Sequence, residues 1–297
     1  NHIPSDILNL IKIDETKEEN WGKLKIVEMA QKDHFLLRRT KMMKRKTKLE
    51  LLTPYEFQNK KVVLSSSGVS FSRYDKNKSI KIPTEMTPEL AEEIGMHIGD
   101  GTLPVNGYNF SLRGDILEEG YYRDHVQPLY EKVYGLKTRL LKRPPICGVE
   151  FDSKAIYEFK SKVLGLHIGE KKGMICVPQS VMDADNQQTY RVLMRGITDT
   201  DGCYYAPSTR AYPRVTICIL SRPLIIELDM ILKRLGFIPS TSLKSCTIHI
   251  YGPVQFHKWI TEIGSKNPKH LKRIHRIKSL LPWGKITAAI DEFASVV

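Results

Sequence analysis

Residues 93–101 read EIGMHIGDG, and residues 194–202 read MRGITDTDG. Each stretch has the pattern of an apolar helix that closes on Asp-Gly, so Asp100 and Asp201 each fall at a helix C-terminus. A helix C-terminus carries partial negative charge, which makes an aspartate there unfavourable unless a positive charge compensates it. Two such aspartates brought together would repel each other unless a cation lay between them.

The two stretches belong to a longer internal repeat. Asp100 and Gly135 are 35 residues apart, and so are Asp201 and Gly236. A third landmark, a helix-like segment that ends in glycine, follows the first aspartate by 65 residues and the second by 63. We infer a tandem duplication whose pseudo-two-fold axis passes between the two motifs.

Both motifs have the features of helices that pack against each other. The first begins at residues 87–89, where threonine can cap the helix, proline occupies the first helical position and glutamate follows. Gly95 and Gly99 lie four residues apart, and Gly196 and Thr200 hold the same positions in the second motif. Small side chains let two helix backbones approach closely. The pattern therefore predicts paired helices with the two aspartates near each other.

Composition bounds the class of protein. The chain has 297 residues, 41% hydrophobic content and a formal charge of +13, which predicts globular units and a polyanionic partner. We expect nucleic acid rather than a membrane, because no basic amphipathic helix stands out and the apolar runs are too short to span a bilayer. No signal peptide is recognisable, and five cysteines without short paired spacing favour reduced thiols in an intracellular protein over a zinc site.

Three segments are predicted. Residues 1–85 form a small accessory segment of unknown fold, 86–185 the first half of the duplication, and 186–297 the second half with a basic C-terminal tail. In the accessory segment we expect short strands at 60–64 and 70–74 around a turn.

Two segments are strongly basic. Residues 38–48 hold seven positive charges and no acid, and residues 266–278 hold six Lys or Arg and no acid. Each can be a solvated segment or a phosphate-binding one, and the charge of the whole chain favours phosphate contact. A closing helix is predicted within 283–297.

Each half reads roughly as αββαββα. Strands are expected at 108–113, 137–142 and 148–151, then at 204–205, 214–220 and 243–251. Helices are expected at 117–134, 153–164, 222–235 and 253–263.

An antiparallel sheet with helices on one face leaves its other face open. We expect that face to carry side chains that bind phosphates and base edges. The candidates are Asn106, Tyr108, Asn109, Arg113, Arg139 and Arg143 in the first half, Tyr205, Arg210, Tyr212, Arg214, Thr216, Lys244 and Thr247 in the second, and Lys269, Lys272 and Arg273 in the tail.

These residues resemble the LAGLIDADG homing endonucleases in their single-chain, two-motif form, over roughly residues 86–280. The resemblance implies an intron-associated monomer of α+β class, with two pseudo-symmetric αββαββα halves, motif helices at their interface and two antiparallel sheets that form a DNA-binding saddle. It also implies that the last acid of each motif, here Asp100 and Asp201, binds divalent metal. Such enzymes recognise long double-stranded sites and cut both strands across the minor groove, leaving short 3′ overhangs.

The sequence departs from the family pattern in two places. The first motif has Ile98 where the family name shows an aspartate. Relatives usually place a Lys and a Gln near the active site from the sheet, and no lysine occupies a recognisable matching position. Arg113 and Arg222, which follow the second strand of each half, are the nearest candidates for catalytic support.

The chemistry predicted for this site is metal-dependent phosphodiester hydrolysis. Asp100, Asp201 and the carbonyls of Gly99 and Thr200 are the predicted ligands of two or more Mg²⁺ ions, for which Mn²⁺ or Ca²⁺ substitutes in binding. Basic side chains would stabilise developing charge. The alternative is that Asp-Gly is only a turn after a helix, and the duplicated register favours metal binding.

Other polar and aromatic residues have simpler interpretations. Asp199 fits a structural role or a supporting role beside the ligand equally well. His97, Phe256 and Trp259 are predicted core residues, and His249 and His257 have no assigned role.

Two functions remain open. The first is a site-specific double-strand DNA endonuclease. The second is a catalytically silent nucleic-acid binder on the same scaffold, either an intron RNA maturase or a transcriptional regulator. Retention of both acids favours the first, and a purely structural scaffold would leave the symmetric acids unexplained.

Overall fold

The computed structural model describes residues 57–171, 173, 175–207 and 212–281, which belong to one compact unit spanning 53–281. The basic run at 38–48, the closing helix predicted at 283–297 and Arg210 lie outside the described residues. None of the described helices is long and apolar enough to cross a membrane.

The accessory segment contains a helix where a second strand was predicted. Helix α1 (Arg73–Asn77) is capped by Ser72, whose hydroxyl accepts a hydrogen bond from the Asp75 amide at 3.2 Å. The Asp75 carboxylate accepts from the Ser72 amide at 2.7 Å and from the Ser153 hydroxyl at 2.6 Å. This reciprocal cap satisfies backbone donors at the helix start, so it outweighs the strand preference of the aromatic residues nearby. The strand expected at 70–74 is therefore wrong.

The described part of the accessory segment outside α1 contacts both halves, and the Asn186 side-chain amide of the second half donates to Asn59 Oδ1 at 2.9 Å. The amides of Asn59 and Lys60 donate to the carbonyls of Asp185 and Ala184, at 3.2 and 2.9 Å. The strand expected at 60–64 is reduced to a single bridge between Val63 and Glu85.

The first half begins with helix α2 (Pro88–Asp100), capped by Thr87 as the sequence predicts. Its four strands form an antiparallel sheet in the order β1-β2-β4-β3. The strands are β1 (Gly101–Thr102), β2 (Asn109–Asp115), β3 (Arg139–Arg143) and β4 (Ile146–Asp152). The helix predicted at 117–134 is built from four consecutive pieces: a 3₁₀ turn (Ile116–Glu118), α3 (Glu119–Tyr121), a π turn (Tyr122–Val126) and α4 (Gln127–Tyr134). After β4, α5 (Lys154–Glu158) continues into a π turn (Phe159–Val163).

The second half repeats this topology with the order β5-β6-β8-β7. After α6 (Gln179–Ala184), the second motif forms α7 (Gln187–Asp201). The remaining elements are β5 (Gly202–Tyr205), β6 (Arg214–Cys218), α8 (Arg222–Arg234), β7 (Ser240–Ser242), β8 (Thr247–Tyr251), α9 (Pro253–Glu262) and α10 (Pro268–Ser279). The predicted α+β class with two antiparallel sheets is confirmed.

The strand predicted at 243–251 is wrong over its first four residues, because residues 243–246 form the tight turn that precedes β8. Strand β7 ends at Ser242, and Cys246 adopts a positive φ of 50° before β8 begins. The Ser245 hydroxyl donates to the Ser242 hydroxyl at 2.8 Å, which stabilises this turn.

Helices α2 and α7 pack directly against each other across the two halves. A Cβ atom on Gly95 would overlap the Leu193 carbonyl oxygen, and one on Gly196 would overlap the Glu92 carbonyl oxygen. Each glycine therefore lies against the backbone of the opposite helix, and any side chain would force the helices apart. The predicted small-residue contact between the motif helices is confirmed.

Candidate functional site

Each motif helix passes into a strand without an intervening loop. The amide of Gly101 donates to the His97 carbonyl, and that of Gly202 to the Thr198 carbonyl. Both glycines have extended backbone, with φ of −73° and −90°, so they are not left-handed turn residues. A Cβ on either would overlap the preceding helical turn, which explains glycine there on steric grounds.

This geometry places the two motif aspartates close together. A Cβ built on Gly99 would lie 3.5 Å from Asp201 Oδ2, so the second carboxylate lies beside the end of the first motif helix. Burial, the charge of Asp201 and that of Glu118 raise the pKa of Asp100 to about 7. Burial also raises the pKa of Asp201, although its surface is accessible to solvent. Both carboxylates are therefore destabilised as anions, and an added cation would stabilise them.

Lys171 is the cation that acts on both acids, and it comes from the linker between the halves. Its ammonium donates to the carbonyls of His97 at 3.1 Å, Ile98 at 2.9 Å and Gly99. Burial lowers the pKa of Lys171 to about 8, while both acids favour its charged form. Sequence analysis missed Lys171, because no local pattern in a linker indicates that its side chain reaches a helix terminus far along the chain.

A second group of polar residues joins the first half to the end of α7. Asn267 is fully buried, and its amide donates to Glu118 Oε1 and to the Asp199 carbonyl, both at 2.8 Å. Lys269 Nζ lies 3.5 Å from the same Glu118 oxygen. Both charged groups act on Asp100: Glu118 raises its pKa and Lys269 lowers it.

Asp199 is engaged within the protein. It is fully buried, its carboxylate accepts from the Ser265 hydroxyl at 2.5 Å and from the Lys266 amide at 2.8 Å, and these contacts fix the loop that precedes α10. Of its two predicted roles, the contacts favour the structural one.

The two arginines predicted to support catalysis lie within a strand and at the start of a helix. Arg113 lies within β2, 3.4 Å from Glu150, and Arg222 is the exposed first residue of α8. Apart from Asp201 itself, the charges that act on Asp100 come instead from Glu118, Lys171 and Lys269, and the charge that acts on Asp201 comes from Lys171.

The donor set suits a hard divalent cation. Asp100, Asp201, Gly99 and Thr200 offer only oxygen atoms, which are the ligands that Mg²⁺, Ca²⁺ and Mn²⁺ prefer. Among the described residues, no cluster of three or more His, Cys, Asp or Glu is arranged to hold a metal. Water, backbone or phosphate oxygens would therefore have to complete the coordination of an ion bound here.

The predicted DNA-contact residues of the first half occupy three kinds of position. Asn109, Arg113, Arg139 and Arg143 lie on the outer face of the sheet. Asn109 and Arg113 alternate with the buried Phe110 and Leu112 on β2, and Arg139 and Arg143 pair with Glu150 and Ile146, which alternate with the buried residues of β4. Tyr108 instead packs edge-to-face on Tyr157, with its ring centroid 5.5 Å away. Asn106 is exposed in the loop after β1.

In the second half the candidates lie mainly on the outer face of the sheet or at its edge. The outer positions include Tyr205, Arg214, Thr216 and Thr247, and the Arg214 guanidinium lies 4.8 Å from the centre of the Tyr205 ring. Tyr212 stacks on Tyr251, Lys244 is exposed in the turn between β7 and β8, and Lys272 and Arg273 are exposed on α10. The predicted core residues His97, Phe256 and Trp259 are buried.

Solved structures with a similar fold come from homing endonucleases. I-WcaI bound to its DNA recognition sequence is 12% identical, covers 71% of this chain and 98% of its own, and gives a TM-score of 0.46. The LAGLIDADG homing endonuclease I-LtrWI bound to target DNA is 10% identical, with coverage of 67% and 91% and a TM-score of 0.45. I-DmoI in complex with DNA and Mn is 14% identical, with coverage of 60% and 96% and a TM-score of 0.41.

No protein-family model and no curated protein matches the sequence. The resemblance predicted from the two motifs is confirmed as a structural similarity: the chain is similar in fold to the LAGLIDADG homing endonucleases.

Proposed function

We propose that this protein is a site-specific DNA endonuclease that hydrolyses both strands of a long recognition site with divalent ions held by Asp100 and Asp201. One observation carries the proposal: equivalent acids from two repeats lie at the ends of paired helices, where burial destabilises the charge of both and the charge of Asp201 further destabilises that of Asp100. A structural role would not require the same unfavourable residue in both halves.

The residues of the chain have distinct tasks in this mechanism. Asp100 and Asp201, with the carbonyls of Gly99 and Thr200, would hold the ions, and we propose Mg²⁺ as the physiological metal. Bound divalent ions supply charge neutralisation at the phosphate and an activated water. Lys171 and Lys269 place positive charge beside the acids, where it would stabilise negative charge that develops on phosphate oxygens.

The two sheets supply the proposed DNA surface. Their outer faces carry arginine, asparagine, threonine and tyrosine side chains, which bind phosphates and base edges. The formal charge of +13 favours a polyanion. Because one chain provides both acids, a monomer can cut both strands, and we propose that it leaves short 3′ overhangs.

The contact of Lys171 favours a second candidate function. Its ammonium already occupies the Gly99 carbonyl beside both acids, as an internal cation would. A protein in which this ammonium permanently replaces metal would bind nucleic acid without cutting it, as an RNA maturase or a transcriptional regulator does.

A cleavage selection distinguishes the two. The purified protein is incubated with Mg²⁺ and a randomised duplex library, and the DNA ends are sequenced. The endonuclease predicts discrete cuts with short 3′ overhangs that require divalent metal. Tight binding without cuts, in Mg²⁺ and in Mn²⁺, would contradict it and make RNA the next ligand to test.

A further inference from the structure

The outer faces of the two sheets can be compared position by position. Gly101 lies opposite Leu112 in the first sheet, and Gly202 lies opposite Ile217 in the second, so the strand register defines matching residues. Four charged positions of the first sheet fall on uncharged ones in the second. Glu150 matches His249, Asp152 matches Tyr251, Arg113 matches Cys218 and Arg139 matches Ser240.

The second sheet has no acidic residue in its strands. Strands β5 to β8, which are described in full, contain neither Asp nor Glu, and Arg214 is their only Lys or Arg. Their polar groups pair with each other: Thr216 Oγ1 lies 3.0 Å from His249 Nδ1, and the Arg214 guanidinium stacks on Tyr205.

The acids of the first sheet are held loosely. Asn109 lies 3.4 Å from both Glu150 and Asp152, and Arg113 lies 3.4 Å from Glu150. Hydrogen bonds of this length are at the weak limit, and the Glu150 side chain is 30% exposed. Both carboxylates can therefore exchange these partners for groups on a ligand.

Acids on this face need an explanation if the face binds DNA. Carboxylates that approach phosphates are repelled, and they lower affinity unless they accept hydrogen bonds in return. In the major groove a carboxylate can accept a hydrogen bond from the cytosine amino group, whereas an arginine can donate to the two acceptor atoms of guanine. Glu150 and Arg139 lie directly opposite each other on β4 and β3, so one acceptor and one donor share a row of the sheet.

We propose that the first sheet reads a half-site rich in G·C pairs, with Glu150 and Asp152 accepting from cytosine and Arg113 and Arg139 donating to guanine. The second sheet reads its half-site without a charged acceptor, through neutral polar and aromatic side chains and Arg214. The inference rests on the proposed function, because it assumes that both faces contact duplex DNA.

The test is a binding selection by the full chain from a randomised duplex library in Ca²⁺, followed by matched variants at equivalent positions. We expect one half of the selected site to be richer in G·C. Glu150→Gln should weaken binding to that site about tenfold, relax one C·G position in the G·C-rich half and strengthen binding to unrelated DNA. His249→Gln should change base preference only in the other half. Asp152→Asn provides a second test in the G·C-rich half.

Three outcomes would overturn the inference. Glu150→Gln and Asp152→Asn could both bind the selected site as tightly as the wild type, which would show that the two acids do not contribute to DNA recognition. The altered base positions could fall in the other half. The selected site could be bound and cut yet have equal G·C content in its halves, which would leave the proposed function standing. A library that yields no preferred site would instead overturn the proposed function, and this inference with it.

Discussion

The core of the first half contains a buried ion pair where the core of the second half is apolar. Glu93 and Lys160 are both fully buried and paired, and the hydroxyls of Tyr130 and Tyr134 donate to Glu93 at 2.6 and 2.9 Å. Motif alignment and helix-end glycines match these four residues to Met194, Trp259, Ile231 and Leu235, all of them buried.

This difference shows which features the fold requires and which it tolerates. Both halves have the same strand order and the same helix-to-strand junction, although the four matched core positions hold an ion pair and two tyrosines in one half and apolar residues in the other. A buried ion pair rarely adds stability over apolar packing, because desolvation offsets the attraction. The charged core is therefore dispensable for the topology, whereas the acid at the end of each motif helix occurs in both halves.

The largest expected effect concerns those shared acids. Asp100→Asn and Asp201→Asn should each lower the cleavage rate by roughly 10³-fold or more, because each removes one anionic ligand while the hydrogen-bonding shape is kept. DNA affinity should stay within about tenfold of the wild type. Cleavage and filter-binding assays measure the two quantities, with Asp124→Asn, an exposed acid paired with Arg123, as the control. Loss of folding or of DNA binding in both variants would refute the ligand assignment.

The next effect tests the contrast between the cores directly. Lys160→Met leaves Glu93 charged and buried without its partner, which should lower the free energy of unfolding by about 3–5 kcal/mol. The double variant Glu93→Met, Lys160→Met makes the site resemble the second core, and it should lose less stability than Lys160→Met alone. Urea denaturation at pH 7 measures both. A double variant less stable than the single one would show that the first core depends on its charges.

A smaller effect involves a pair that joins the halves. Glu92 of α2 accepts two hydrogen bonds from Arg195 of α7, at 2.8 and 2.7 Å, and one from His125 at 2.9 Å. Burial would raise the pKa of Glu92, but these partners hold it at about 2 against an ordinary value of 4.5. The contribution of Glu92 to the free energy of unfolding is therefore fully present above pH 4.5, and it is lost as the pH falls toward 2. We expect a loss of about 2 kcal/mol between pH 7 and pH 3.

Comparison of the wild type with Glu92→Gln isolates this contribution from that of other carboxylates. The wild type should lose about 2 kcal/mol more than Glu92→Gln does between pH 7 and pH 3, measured by urea denaturation at both values. Equal losses would show that Glu92 does not carry the pH dependence.

The smallest expected effect concerns the accessory segment, which α1 attaches to the first half. Ser72→Ala removes the hydroxyl that caps α1 and should cost about 1 kcal/mol. Ser66→Ala, in the exposed turn, is the matched control and should stay within about 0.5 kcal/mol of the wild type. Equal melting temperatures for the wild type and Ser72→Ala would mean that α1 contributes nothing to the stability of the unit.

The features predicted correctly from sequence are those that local pattern determines. The motif helices, their small-residue contact and the later helices follow from apolar spacing, caps and terminal glycines, which act within a few residues. The same local patterns gave wrong predictions in two places. At 70–74 the reciprocal cap of Ser72 and Asp75 outweighs the aromatic pattern, and at 243–251 the positive φ of Cys246 could not be recognised from the sequence.

The features that sequence analysis missed depend on tertiary contacts. Lys171 reaches the end of α2 across 72 positions, and Asn267 reaches Glu118 across 149. Strand register, which places Glu150 opposite Arg139, is set by pairing across the sheet and cannot be recognised in the sequence of a single strand. The positions of the two acids could be predicted, whereas the charged groups around them could not.

Metal binding by the two acids is the central claim, and calorimetric titration with Ca²⁺ tests it most directly. The wild type and the Asp124→Asn control should bind Ca²⁺ with equal affinity, whereas Asp100→Asn and Asp201→Asn should each weaken binding more than about tenfold, because each removes one of only two carboxylate ligands. If both variants bound Ca²⁺ like the wild type, the ion would lie elsewhere, and the two motif aspartates would not form a shared metal site.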